Sequence, residues 1–227
     1  WYTAFTKMTA QKLPIGIQSF EKIIKEKYIY VDKTRYIVQL LKGQVYFLSR
    51  PRRFGKSLFL STLAAYFRGQ KELFKGLYLE KAEEELARQE GREAWREYPV
   101  LYLDLNGSNY KEPQSLAINL NDHLTLWEGL YGIAPSEQDF SMRFKGVIRR
   151  ACEKTGRQVV ILIDEYDKPL LDTIEQPELN ENHRDILRAF YSVIKSSDIY
   201  LRFVFLTGVT KFGKVSVFSG LNNLKDI

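Results

Sequence analysis

The chain has 227 residues, 44% of them apolar and 27% charged, with a net charge of +6 at neutral pH. That length and balance exclude a disordered or fibrous polypeptide and allow one sizeable core, so one domain over residues 1–227 is expected. No apolar run reaches the ~18 residues of a membrane span, residues 1–9 lack the build of a secretory leader, and the lone Cys152 excludes an internal disulfide, which together make the cytoplasm the expected compartment.

In chain order, residues 34–41 carry helical apolar spacing, 45–48 form an apolar strand and 56–67 a helix. Residues 80–95 read as a charged helix with Glu83, Glu84 and Glu85 on a solvated face, and residues 100–104 as a strand after Pro99. Helices follow over 113–130 and 136–154, the second carrying Cys152 at a packed position with no histidine offered as its base. Next come an aliphatic strand over 159–163, one or two helices between 168 and 195, and a strand over 202–206. Strands that alternate with helices and lack period-two polarity predict a mostly parallel sheet with helices on both faces.

Two motifs carry chemistry. Arg50-Pro51-Arg52-Arg53-Phe54-Gly55-Lys56-Ser57 lies between the first strand and a helix, where a phosphate-binding P-loop belongs. Gly55 lets the backbone close round phosphates, Lys56 supplies a movable positive charge, and the Ser57 hydroxyl can ligate Mg²⁺; the helix that follows points its first amides at the same place. Arg50 stands where the usual pattern has its first glycine. The second motif is Val159-Val160-Ile161-Leu162-Ile163-Asp164-Glu165. A strand buried on both faces delivers Asp164 to its carboxyl end, where open α/β sheets bind ligands, and the carboxylate can hold Mg²⁺ through its water shell. Glu165 is placed to polarise an attacking water. Taken singly, each motif also reads as an ordinary turn, and it is their order along the chain that argues for a nucleotide site.

These residues resemble the predicted AAA-ATPase-like proteins, a P-loop family whose loop often reads R-P-R-R-F-G-K-S. The resemblance runs along nearly the whole chain, through Leu13-Pro14-Ile15-Gly16 with Phe20, Tyr30-Val31-Asp32-Lys33-Thr34, the P-loop, Ile163-Asp164-Glu165-Tyr166-Asp167, Leu206-Thr207-Gly208-Val209 and Phe218-Ser219-Gly220-Leu221-Asn222-Asn223-Leu224. It implies the three-layer α/β sandwich of P-loop NTPases, ATP and Mg²⁺ as ligands, and ATP hydrolysis. The implied catalytic set is Glu165, Lys56 and Thr207, with Thr207, or failing it Thr210 three residues on, touching the γ-phosphate or the water from the strand beside Asp164. Thr207 could instead satisfy backbone groups where its strand ends. Ser57 and Asp164 would hold the metal, and Tyr30, Arg52, Arg53, Phe54, Gly55, Lys56, Ser57 and Leu58 would contact the nucleotide, Tyr30 or Val31 against the base. Asp32 equally suits a helix cap, and Asp104 suits a turn with Asn106-Gly107 as well as a place in the metal shell.

Related ATPases carry a fifth strand and an arginine-bearing lid. Only four strands are legible here, so the chain is expected to be a C-terminally truncated fragment. In this family a nuclease-like effector domain of the PD-(D/E)XK type often follows, and an oligomer would be in keeping. Residues 1–57 hold 12 Lys or Arg against three acids, an excess that suits a triphosphate and leaves room for a nucleic-acid surface, although no aromatic residues interleave with it. The reading is an ATPase that drives or gates a partner domain. A nucleotide-dependent switch with little turnover is the alternative, and a small-molecule kinase fits less well. Lys211-Phe212-Gly213-Lys214 echoes the P-loop but lacks a following Ser or Thr, and reads as a polar loop.

Overall fold

The computed structural model describes residues 12–210 and 224–227; the Lys211–Lys214 loop and the 218–223 part of the last motif lie outside them. Its elements, in chain order, are α1 (Phe20–Lys25), α2 (Arg35–Leu40), β1 (Val45–Ser49), α3 (Lys56–Phe67), a 3₁₀ turn (Lys71–Phe74), α4 (Tyr78–Gln89), β2 (Val100–Asp104), α5 (Ser115–Tyr131), α6 (Phe140–Thr155), β3 (Val159–Asp164), α7 (Lys168–Asp172), α8 (Pro177–Ser196), β4 (Leu201–Gly208) and β5 (Lys225–Asp226).

The five strands form one sheet in the order β2-β3-β4-β1-β5, and every pairing is parallel. All six residues of β3 are buried, which explains an aliphatic run with no polar alternation. Side chains of successive strand residues enter opposite layers. Phe47, Leu101, Leu103, Ile161, Ile163, Val204 and Leu206 join one core with residues of α5, α6 and α8. Tyr46, Val160, Leu162, Phe203 and Phe205 join the other with residues of α1, α2, α3 and α4. The result is a three-layer α/β sandwich of the P-loop NTPase kind. One strand, β4, separates the P-loop strand β1 from β3, so the loop and the Asp164-Glu165 pair face each other across it.

Several expectations need correction. A fifth strand is present: Tyr46 and Phe47 pair with Lys225 and Asp226, and the Ile227 amide donates to the Phe47 carbonyl at 3.0 Å. Two polar edge residues carry no apolar signal, which is why only four strands are legible. Helix α4 stops at Gln89, not at residue 95, because Gly91 takes a left-handed φ of 62°. Helix α1 is too short for periodicity to reveal; it is fixed by Ser19, whose Oγ accepts the Lys22 amide at 3.2 Å.

Glu83 is not on a solvated face. Its carboxylate is fully buried, accepts the Tyr66 hydroxyl at 2.8 Å and the Trp95 amide at 3.1 Å, and pairs with Arg92 at 2.6 Å. The guanidinium and the two further donors satisfy a charge that would be costly to bury alone. Glu84 and Glu85 do face solvent, as exposed partners of Lys71 and Arg88. Cys152 packs half-buried against the α5–α6–α8 core.

Candidate functional site

The site grows from the carboxyl ends of β1, β3 and β4. After Ser49 the chain turns through Arg53 and Gly55, both left-handed, with φ of 67° and 79°. A Cβ on Gly55 would meet nothing within 4 Å, so conformation and not space calls for glycine there. Helix α3 starts at the next residue, and its first amides have no intrahelical acceptor. Lys56 is buried, and its ammonium donates to the carbonyls of Arg50 at 3.0 Å and Pro51 at 3.3 Å. The same Nζ lies 3.0 Å from Glu165 Oε1.

At the end of β3, Asp164 Oδ1 accepts the Thr207 hydroxyl at 2.5 Å, and Thr207 Oγ1 in turn accepts the Glu165 amide at 3.2 Å. Thr207 is thus a clamp between the two acidic residues. Glu165 itself has a φ of 53°, a conformation that costs a non-glycine residue energy and tends to persist where a site requires it. Burial pushes the Asp164 carboxyl above its ordinary range; hydrogen bonds from the Ser57 and Thr207 hydroxyls oppose that shift, nearby Asp104 adds to it, and Lys56 opposes it. A hydroxyl and a carboxylate side by side are donors of the kind Mg²⁺ takes, since that ion needs only one or two protein ligands besides water and phosphate.

A cleft of about 900 Å³ opens over these groups. It is lined by residues 14–18, by Arg52, Arg53 and residues 55–58 of the loop and α3, and by Asn106, Glu165, Lys168 and Leu171. A smaller cleft of about 380 Å³ shares Gln18 and Ser57 with it and reaches Arg68, Tyr102, Asp104 and Asp164.

The structure therefore brings together Arg52, Arg53, Gly55, Lys56, Ser57, Leu58, Asp164, Glu165 and Thr207. Other sequence candidates go elsewhere. Tyr30 does not line either cleft; its ring stands edge-on to Phe20 at 5.1 Å, inside the α1–α3 packing, and Val31 is exposed. Phe54 projects to solvent at 64% exposure and is absent from the cleft wall. Asp32 is structural: it accepts the Thr34 amide and hydroxyl at 2.8 and 2.7 Å and the Tyr78 amide at 2.7 Å, so that it tethers α2 to the start of α4. Asp104 accepts the Asn106 amide at 2.8 Å, as a turn requires, while lying in register beside Asp164. The Thr210 hydroxyl donates to Asp167 at 2.9 Å.

Residues 14–18, Asn106, Asp167 and Lys168 are site features that spacing did not single out. Asp167 is buried and accepts the Val209 and Thr210 amides at 3.0 and 2.7 Å, which locks the turn after β3 onto the loop after β4. Gly208 allows this closeness, because a Cβ there would stand 2.4 Å from the Tyr166 ring. Pro14 to Gly16 and Asp167 do fall within the motifs of the family resemblance, which was the one signal available for them.

A five-stranded parallel sheet with a Gly-Lys-Ser loop opposite a strand ending in Asp-Glu defines a P-loop protein with a nucleotide-binding type of site. The family described as Predicted AAA-ATPase, or AAA-ATPase-like, matches residues 14–218, and the chain belongs to it. It is also 48% identical over 223 residues to an "Uncharacterized protein in vnfD 5'region" of Azotobacter chroococcum mcd 1, an alignment covering 97% of this chain and 41% of that protein. The chain thus spans about two fifths of that relative's length.

Proposed function

We propose that this chain binds ATP with Mg²⁺ in the 900 Å³ cleft and hydrolyses it to drive or gate an adjoining domain. The observation that carries the proposal is the convergence of Lys56 and Glu165, 3.0 Å apart, beside an Asp164 clamped by Thr207. Gly55 and the first amides of α3 would cradle the phosphates. Lys56 would leave the carbonyls of residues 50 and 51 to bridge the β- and γ-phosphates, with Arg52 and Arg53 adding positive charge from the loop. Glu165, released by that movement, would orient a water and accept its proton. Thr207 holds both acidic residues and would reach the γ-phosphate only by giving up its bond to Asp164. Mg²⁺, held by Ser57 and through water by Asp164, would neutralise the phosphate oxygens.

Ile15 and Ile17 on the 14–18 wall, together with Leu58, offer the apolar surface a nucleobase needs, in place of Tyr30. No helix among the described residues is long and apolar enough to cross a membrane, and a cytoplasmic ATPase remains our reading. The adjoining effector, a nuclease-like domain by family resemblance, is the proposed recipient of the ATP cycle.

The Lys56–Glu165 pair also favours a second reading. While the two neutralise each other neither is available for chemistry, which suits a switch that binds ATP and turns over only when a partner separates them. Binding of Mg-ATP and release of phosphate, followed on the intact chain and on Lys56→Ala, test the proposal. It expects saturable binding and turnover lost in the variant, and equal behaviour of the two proteins would contradict it.

A further inference from the structure

Lys168 lines the same cleft as Lys56, Ser57 and Glu165, yet belongs to neither nucleotide motif. It is the first residue of α7, three positions after Glu165, and its backbone is fixed from two directions. Its own amide donates to the Glu165 carbonyl at 3.0 Å. The preceding residue, Asp167, is tied to the β4 loop through the Val209 and Thr210 amides and the Thr210 hydroxyl. These bonds set the root of this side chain relative to Glu165.

Its ammonium is held by Asp172 at 2.6 Å, and both side chains are about one-fifth exposed, at 21% and 20%. A lysine four residues before an aspartate is the weaker orientation of a helical ion pair, and a cation in the first turn opposes the helix dipole. The helix gives Lys168 no advantage at this position; besides Asp172, its ammonium has among the described residues only the Tyr110 ring 5.9 Å away, a weak contact it would also give up on moving. Arg52 and Arg53, the cleft's other cations besides Lys56, are exposed on the loop.

We propose that Lys168 is a second phosphate-reading cation, which leaves Asp172 and contacts the γ-phosphate when a nucleoside triphosphate fills the cleft, so that the site distinguishes triphosphate from diphosphate. The inference rests on the nucleotide reading above and adds the discrimination step to it. In hydrolysis the water oxygen bonds to the γ-phosphorus while the bond from that phosphorus to the β,γ-bridging oxygen breaks. The electron pair of the broken bond stays on the diphosphate, and the proton of the water passes to Glu165. Lys168 gives and takes no proton; it stabilises charge on the γ-phosphoryl oxygens as they leave. Asp172 is its resting partner and is refilled once phosphate departs.

The test is calorimetric titration of the chain with Mg-ADP and with a non-hydrolysable Mg-ATP analogue, for the wild type, Lys168→Met, Lys168→Arg and Asp172→Asn, with melting temperatures alongside. Loss of a charge-assisted hydrogen bond predicts that Lys168→Met weakens the triphosphate about tenfold or more and leaves the diphosphate unchanged, while Lys168→Arg keeps most of the preference. Asp172→Asn frees the lysine and raises the triphosphate-to-diphosphate affinity ratio. An unchanged ratio in Lys168→Met, or equal weakening of both nucleotides, overturns the proposal. If Lys168→Met does not fold, the ratio in Asp172→Asn decides: a rise supports the proposal and no change overturns it. A wild type that binds neither nucleotide fails the nucleotide reading itself, and this inference with it. A wild type that binds both, with a ratio indifferent to Lys168, fails this inference alone.

Discussion

Lys56 and Glu165 form an ion pair 3.0 Å long between side chains that are 4% and 12% exposed, within the cleft that both residues line. The P-loop lysine and the carboxylate proposed to activate water thus neutralise each other. Two carbonyls of the loop complete the shell of the ammonium. On the proposed reading a triphosphate replaces all three partners and so frees Glu165.

Removing one member of this pair leaves the other charged and largely dry. Lys56→Met is expected to destabilise the chain by about 3 kcal/mol, and the double variant Lys56→Met/Glu165→Gln to recover most of that loss. Urea unfolding of the two single variants and the double variant gives the coupling directly. Additive losses would show that the pair contributes nothing.

Thr207 serves Asp164 and the Glu165 amide at once. Thr207→Val keeps the shape and removes both bonds, so it should cost about 1–3 kcal/mol and weaken Mg²⁺-dependent nucleotide binding more than metal-free binding. Titrations with and without Mg²⁺ separate the two effects. Equal loss in both would assign Thr207 a purely structural role.

Burial raises the Asp164 carboxyl above its ordinary value of 3.8. The folded chain therefore favours the protonated acid, and this group's contribution to stability is present in full below that ordinary value and is lost as pH rises through the raised one. Asp164→Asn retains an acceptor for Thr207 and carries no charge. Its stability relative to the wild type should climb across that window and then stay level towards neutral pH, while Mg²⁺ dependence disappears. A stability difference that does not vary with pH would contradict the assignment.

Glu83 provides a contrast away from the cleft. Glu83→Ala leaves Arg92 with Glu90 as its ion-pair partner but deprives the buried Tyr66 hydroxyl and Trp95 amide of their acceptor, at an expected cost of about 1–3 kcal/mol for each unsatisfied group. Thermal unfolding measures it, and the variant molecules that remain folded should bind nucleotide as the wild type does. A wild-type melting temperature would show that this buried network adds little.

What could be read from the amino-acid order depended on whether a signal was local. Helix α3 and the β1 and β3 strands follow from their apolar runs, which in β3 reflect burial on both faces. The loop lysine, the serine and the Asp164-Glu165 pair follow from short motifs whose chemistry is self-contained. Glu83 looked like one of three equivalent glutamates because the residues that bury it, Tyr66, Arg92 and Trp95, arrive from elsewhere in the chain. The 14–18 wall and Lys168 were hidden for the same reason: neighbours in space, not in sequence, make them part of the cleft. Tyr30 stands away from the cleft lining because its ring packs on Phe20, on a helix too short to be seen in the pattern.

The most direct measurement is phosphate release from Mg-ATP by the wild-type chain and by Glu165→Gln, with nucleotide binding followed in parallel. The account predicts turnover in the wild type only, and binding by the variant that is at least as tight, because Lys56 no longer has to break an ion pair to reach phosphate. A variant that hydrolyses ATP at the wild-type rate, or loses binding along with turnover, would contradict it.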